Sequence, residues 1–199
     1  MIYAVLDTNV LVSAAISRNQ RVSVPYGILE SAASGVFVPL VDDNILQEYR
    51  EVLARPKFGL RLQAIDFFVN TMLHGAINQA VQKTNVVLPD MADVIFYDVA
   101  MAHQDKKAYL VTGNLRHFPG CAFAVSPRNF LEIIKEQGMG TNSVRENSPH
   151  YDRSGLLAVL REANEIARKN GILGMSEEEI EAEISAARAE RAARRNKKA

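Results

Sequence analysis

The sequence predicts an α/β domain built on a central parallel sheet and followed by a helical C-terminal extension. Three observations carry that prediction. Short apolar runs alternate with amphipathic stretches of helical period from Ile2 to about Gln137. The first run, Ile2-Tyr3-Ala4-Val5-Leu6, is apolar or aromatic throughout, as in a strand buried on both faces. After Gly138 the pattern changes to Gly, Asn, Ser and Pro, and then to two stretches carrying one apolar stripe each.

Taken in order, the opening strand stops at Asp7, and Thr8 and Asn9 are natural N-caps for a helix over residues 10–16. A carboxylate thus stands at the carboxyl end of an inner parallel strand, the edge where open α/β sheets bind ligands. The alternative for Asp7 is a capping role alone. Residues 36–41 read as a second strand, with Pro39 indicating an edge position or the strand's end. Asp42, Asp43 and Asn44 precede a periodic helix with Ile45, Leu46, Tyr49, Val52 and Leu53 on one face. At about 100° per residue that arc spans roughly 120°, and Glu48 falls about 40° from its margin. Glu51 lies farther round and Gln47 faces away, so Glu48 is the acid this helix can turn toward the sheet.

Leu62, Ile65, Phe68, Val69, Met72 and Leu73 mark another amphipathic helix. Residues 86–88 make a short extended piece before a turn at Pro89-Asp90. A helix starting near Asp93 buries Ile95, Phe96, Val99 and Ala100, and Asp93 sits in its first turn, where the helix dipole alone would favour a negative charge. Residues 108–111 and 123–125 are two more strands, the former ending in Thr112-Gly113-Asn114. Ser126-Pro127 opens the helix that closes the domain, as N-cap and first helical residue. Residues 138–153 read as a linker, with Gly138-Met139-Gly140 as a junction. A helix then carries Leu156, Leu157, Val159, Leu160, Ala163, Ile166 and Ala167 and stops at Asn170-Gly171. Ser176-Glu177-Glu178-Glu179 is a capping box opening a last helix, with Ile180, Ile184 and Ala187 on one face and Arg191 following along it. Two such helices cannot form a core, so the segment 154–199 must dock on something.

The bulk numbers set bounds. The 199 residues are 48% hydrophobic and 23% charged, with 23 basic against 23 acidic residues, so any nucleic-acid contact must be a local patch. One cysteine, Cys121, excludes a disulfide framework or a cysteine metal cluster. No run reaches the length of a membrane span and no signal pattern opens the chain, so no membrane is expected and a cytoplasmic location is the default.

Asp7, Glu48 and Asp93 can converge, because a strand's C-terminal edge adjoins the start of the helix that follows. Three converging carboxylates repel unless cations lie between them. Hard divalent ions with oxygen ligands, Mg²⁺ or Mn²⁺, suit them, and the chemistry they support is phosphodiester hydrolysis.

In this respect the chain resembles the PIN-domain ribonucleases, in particular the branch of toxin components of toxin–antitoxin pairs. The resemblance lies in Leu6-Asp7-Thr8-Asn9-Val10-Leu11-Val12, in the stretch from Ile45 to Leu53 around Glu48, in Leu88-Pro89-Asp90 with Asp93 and Phe96, and in Tyr109-Leu110-Val111-Thr112-Gly113-Asn114 with His117-Phe118-Pro119. It implies a three-layer α/β/α PIN-like domain over 1–137, with Asp7, Glu48 and Asp93 as metal-binding acids and Asn9, Thr112 and Asn114 lining the same edge. Many members carry a fourth acid where this chain has Asn114, which can ligate through its carbonyl oxygen without adding charge. Asp98 is the residue that would compensate, although it sits on another flank of its helix and is otherwise solvated or salt-bridged. Asp90 reads as a turn residue.

Arg55, Lys57, Arg116 and His117 are candidates for holding RNA phosphates, each with an ordinary surface charge as the alternative. For His117 the other roles are proton donor or packing against Phe118. The tail resembles the C-terminal part of small antitoxins, which place an arginine in the acidic site of the toxin. Arg191 is the first choice, since it shares a face with Ile180 and Ile184, followed by Arg188 and Arg195; the alternative is a solvated or RNA-binding basic end. The expected partners are therefore RNA and an antitoxin, in cis through 154–199 or in trans, with a homodimer as the expected assembly. The competing reading is a catalytically silent PIN-fold module that binds RNA or a partner, which Asn114 favours. A Rossmann nucleotide site fails because Asp7-Thr8-Asn9 replaces the glycines it needs.

Overall fold

The apolar N-terminal run becomes the middle of the sheet, because only a strand paired on both sides and covered on both faces buries every side chain. A computed structural model describes residues 1–19, 22–73, 75–139 and 153–197. Strand β1 (Ile2–Leu6) pairs in parallel with β2 (Phe37–Val41) on one side and β4 (Tyr109–Val111) on the other. The short β3 (Ile77–Asn78) and β5 (Ala124–Val125) complete an all-parallel sheet in the order β3-β2-β1-β4-β5. Pro39 is neither on an edge strand nor at a strand's end, the two positions predicted, since it is the middle residue of β2 and β2 has neighbours on both sides. It pairs with Ala4, while β3 joins β2 only at Leu40 and Val41, so the outer side of β2 is free of ladder partners where the imide nitrogen falls.

Helix α1 (Thr8–Ala15) begins two residues earlier than predicted: Thr8 and Asn9 are helical and Asp7 occupies the N-cap position. The Asp7 side chain makes no capping bond, which leaves it free for other partners. Helix α2 (Val24–Ala33) has no counterpart in the prediction. It is capped by Ser23, whose hydroxyl accepts from the Tyr26 amide at 3.3 Å, and it buries Ile28, Leu29, Ala32 and Ala33. Gly35 then takes φ +67°, a left-handed conformation that turns the chain into β2.

Helix α3 (Asp43–Leu53) starts at Asp42, whose carboxylate accepts from the amides of Asn44 (2.6 Å) and Ile45 (3.3 Å). Helices α4 (Leu62–Met72), α5 (Val94–Ala102) and α6 (Pro127–Met139) follow, the last with Ser126 accepting from the Asn129 amide at its start. Residues 86–88 form no strand; the short strand of this region is β3, about ten residues earlier.

Helix α6 runs two residues past the predicted domain end, so Gly138 and Met139 belong to it, and residues 140–152 of the predicted linker lie outside the described residues. Helix α7 (Arg153–Lys169) packs on α4 and α1, and α8 (Glu177–Asn196) packs on α1 and α3. Their buried Leu160, Ala163, Ala167, Ile180, Ile184 and Ala187 join the same core as Val5, Leu29 and Phe96. Among the described residues no helix is long and apolar enough to cross a membrane.

Candidate acidic site and the helix lying on it

The site forms where β1 and β4 end side by side. The Asp7 amide donates to the Val111 carbonyl at 2.9 Å, which holds the two strand ends in register. Asp7 is 3% exposed, and its Oδ2 accepts from Thr112 Oγ1 at 2.6 Å and from Asn9 Nδ2 at 2.8 Å. Asn9 in turn accepts from the Gly113 amide at 3.0 Å, and the Asn114 amide donates to Thr112 Oγ1 at 2.9 Å. Asn9, Thr112 and Asn114 therefore line one edge with Asp7.

Glu48 comes from α3 and is 2% exposed. Thr8 Oγ1 donates to its Oε1 at 2.8 Å, and Tyr49, the next residue along the helix, donates its hydroxyl to the Leu6 carbonyl. These bonds tie the helix to the end of β1, so a carboxylate on the flank of α3 points inward.

Asp93 closes a single 3-10 turn (Met91–Asp93) just ahead of α5 and is 2% exposed. Its Oδ2 lies 2.8 Å from His117 Nδ1, while His117 Nε2 lies 2.8 Å from Asn114 Nδ2. The asparagine Nδ2 can only donate, so Nε2 accepts and Nδ1–H points at Asp93. His117 thus holds an acid of the site; it is neither a lone surface group nor merely packed on Phe118.

A side chain from α8 stands among these acids. Arg188 donates from Nε to Glu48 Oε2 (3.1 Å) and from Nη2 to Glu48 Oε1 (2.8 Å), a two-point pairing. The same Nη2 lies 2.8 Å from Asp93 Oδ1, and Nη1 donates to Asp90 Oδ2 at 2.8 Å. Asp90 also accepts from the Ala92 amide at 2.9 Å, so it is a turn residue and a ligand of the guanidinium together. The predicted order of the arginines is reversed. Arg191 pairs with Glu48 Oε2 at 3.1 Å and Glu51 Oε2 at 2.6 Å, farther out, and Arg194 reaches Glu51 Oε1 at 3.2 Å. Arg195 is exposed on the wall of an adjoining cleft.

The electrostatics follow from burial of like charges. Burial pushes the Asp7 carboxyl up to about 8, and the negative charge of Asp93 adds to this against the lowering by Thr112 and Arg188. Asp93 is raised by burial too, with Arg188 pulling the other way. Burial disfavours the charge on Arg188, yet its bonds and attraction to Glu48, with Asp93 and Asp7 behind, outweigh this and hold it above the usual arginine value. An all-oxygen, acid-rich cluster short of positive charge is what a hard divalent cation fits. A cation is present in this arrangement, in the form of the Arg188 guanidinium. Among the described residues no three acidic, histidine or cysteine side chains are drawn in tightly enough to hold an ion as they stand.

The remaining candidates divide. Asp98 is buried but apart from the acids: its Oδ1 accepts from the Thr84 hydroxyl (2.6 Å) and amide (3.1 Å), and it lines a cleft of about 550 Å³ that Glu48, Arg188 and Arg191 also line. The flank it occupies on α5 faces the loop at residue 84, so it does not replace the missing fourth acid. Arg55 is paired with Glu183 and Glu190 of α8, and Lys57, which stays exposed, is paired with Glu183. Arg116 is exposed near Glu178. Sequence reasoning did not find Thr8, Glu51, Glu181, Glu183 or Glu190. Glu181 Oε1 lies 3.5 Å from Asn9 Nδ2, so α8 brings one acid of its own to the edge of the site.

A family model described as a PIN domain matches residues 3–116. Those residues include Asp7, Glu48, Asp93 and Asn114, together with β1 from its second residue and all of β2 to β4. No curated protein and no solved structure matches the chain.

Proposed function

From a chain that belongs to the PIN-domain family, we propose a divalent-metal-dependent endoribonuclease whose acidic site is blocked by its own C-terminal helix. The observation that carries this reading is the guanidinium of Arg188, within 3.1 Å of Glu48, Asp90 and Asp93 and electrostatically coupled to Asp7. A guanidinium brings one positive charge to the carboxylate oxygens that a divalent ion would bind and donates hydrogen bonds to them. Asp7, Glu48 and Asp93 would hold Mg²⁺ or Mn²⁺, with the Asn114 carbonyl oxygen as a neutral addition. When bound, such an ion supplies an activated water at neutral pH and positive charge at the phosphate.

The chain's own residues prepare that site. Thr112 and Asn9 fix the orientation of the Asp7 carboxylate, Thr8 that of Glu48, and His117 that of Asp93. The low dielectric around them strengthens any charge interaction with a phosphate. The tail then acts as the toxin-binding end of an antitoxin does, but within one chain.

The test uses the full chain. Arg188→Ala/Arg191→Ala should raise Mn²⁺- or Mg²⁺-dependent cleavage of single-stranded RNA at least about tenfold, because removing one partner of a buried charge pair costs about 2–5 kcal/mol of docking. Adding Asp7→Asn should abolish that cleavage. Absence of any metal-dependent cleavage in the doubly substituted chain would sink the reading. A second reading, a silent module that binds without cutting, rests on Asn114: its side chain is engaged with His117, and it contributes no charge to the site. RNA binding without cleavage in the same variant would support it.

A further inference from the structure

Helix α8 meets the domain along three strips. At about 100° per residue, Ile180, Ile184, Ala187 and Arg191 form the central strip. Arg188 lies on one flank and faces Glu48, Asp90 and Asp93. Glu183 and Glu190 lie on the other flank, seven residues apart and so nearly aligned, and face Arg55 and Lys57. Arg188 on one flank and the Glu183/Glu190 pair on the other each meet side chains of opposite charge.

Arg55 and Lys57 follow the last turn of α3, the helix that carries Glu48 and Glu51. Among the described residues the only acids paired with them belong to α8. Without α8 the folded domain would present two neighbouring cations beside a pocket of acids, with nothing of its own to neutralise them. The pairing has the form of an oxyanion contact. Glu183 spans both cations, Oε2 to Arg55 at 3.1 Å and Oε1 to Lys57 at 3.3 Å, and Arg55 takes Glu190 with a second nitrogen. Two oxygens of one anion shared between an arginine and a lysine is also how a phosphodiester would sit there.

We propose that Arg55 and Lys57 are a binding site for a phosphodiester of single-stranded RNA, and that Glu183 and Glu190 occupy it in place of phosphate oxygens. Helix α8 is then a charge mimic of substrate and metal together: its carboxylates stand where phosphates go, and its guanidinium where the divalent cation goes. This rests on the nuclease reading for the identity of the polymer, but it places the substrate on one side of the acids and makes RNA and α8 compete for the same groups.

The test measures binding without cleavage, on the full chain in EDTA, with a fluorescent single-stranded RNA and a salt series. Glu183→Gln/Glu190→Gln should tighten binding several-fold and make the slope of log K against log salt steeper by about 1.4, since each cation freed to hold a phosphate contributes about 0.7. Glu183→Gln alone should give a smaller gain in the same direction. Adding Arg55→Ala/Lys57→Ala to the double glutamine variant should return both affinity and slope to those of the unsubstituted chain. The proposal is overturned if the variants with and without Arg55 and Lys57 bind alike, or if the glutamine variant loses thermal stability and gains no affinity. Cleavage plays no part in this readout, so a failure of Arg188→Ala/Arg191→Ala to cut RNA bears on the nuclease reading alone.

Discussion

At the scale of single residues, the protonation of Asp7 is the most direct consequence of the geometry. In the metal-free chain its carboxyl is pushed up to about 8 from an ordinary 3.8, so the native state holds a proton that the unfolded chain has released. Stability from this source is complete below about pH 4 and is lost as pH rises through about 8. The urea midpoint of the metal-free chain should therefore fall across that window, and Asp7→Asn should reduce the fall, with the raised Asp93 contributing what remains. A midpoint that climbs toward pH 8 would contradict this assignment. His117→Ala should act through Asp93: cleavage by the Arg188→Ala/Arg191→Ala chain should drop by about 10–100-fold, as for other groups that orient a ligand, and the metal concentration needed should rise. Three of the acids were legible because each ends a strand, opens a helix or flanks an apolar face. In the sequence, a face shared with Ile180 and Ile184 favours Arg191 over Arg188. A long side chain on the flank reaches sideways past the apolar strip, and the acids lie to the side of α8 rather than beneath it.

Among the elements, α8 is the one whose stability should set access to the site. Its capping box is complete: Ser176 Oγ accepts from the Glu179 amide at 3.2 Å and Glu179 Oε2 accepts from the Ser176 amide at 2.8 Å. Ser176→Ala should cost about 1 kcal/mol of helix stability. If docking and helix formation are coupled, RNA cleavage by the full chain should rise about fivefold, and unchanged activity would show that α8 stays docked without its cap. The capping box could be read from sequence because its four residues are contiguous and its donors and acceptors are local. Helix α2 could not, since Val24-Pro25-Tyr26-Gly27 opens it with a proline and a glycine, and its apolar residues are partly alanines whose burial depends on α1 and α6 packing over them. Strand β3 is two residues long, too short for any period to show, and exists only because β2 offers Leu40 and Val41 to pair with. The acids of α8 were missed for a different reason: on an isolated helix Glu183 and Glu190 read as solvated charge, and only the docked partner gives them cations.

On the scale of the whole molecule, the division into a domain and a tail does not extend to the core. Leu160, Ala163 and Ile184 are buried in the same cluster as Leu53, Ile65 and Phe68. Domain and tail should melt in one calorimetric transition. Ile184→Ala, at 1% exposure, should lower that single transition by roughly 5–15 °C, from about 2–5 kcal/mol of lost packing. A separate, earlier transition confined to the tail would show that α7 and α8 are only loosely added. For the same reason point substitutions probe the site more cleanly than deletion, which would strip cover from α4. The helix over the acids also belongs to the molecule that bears them. Its local concentration is fixed by the covalent connection and stays the same however far the protein is diluted. Dilution therefore does not shift its docking, whereas a rival for its charges, a weakened helix or a cut in the backbone that joins it to the sheet does.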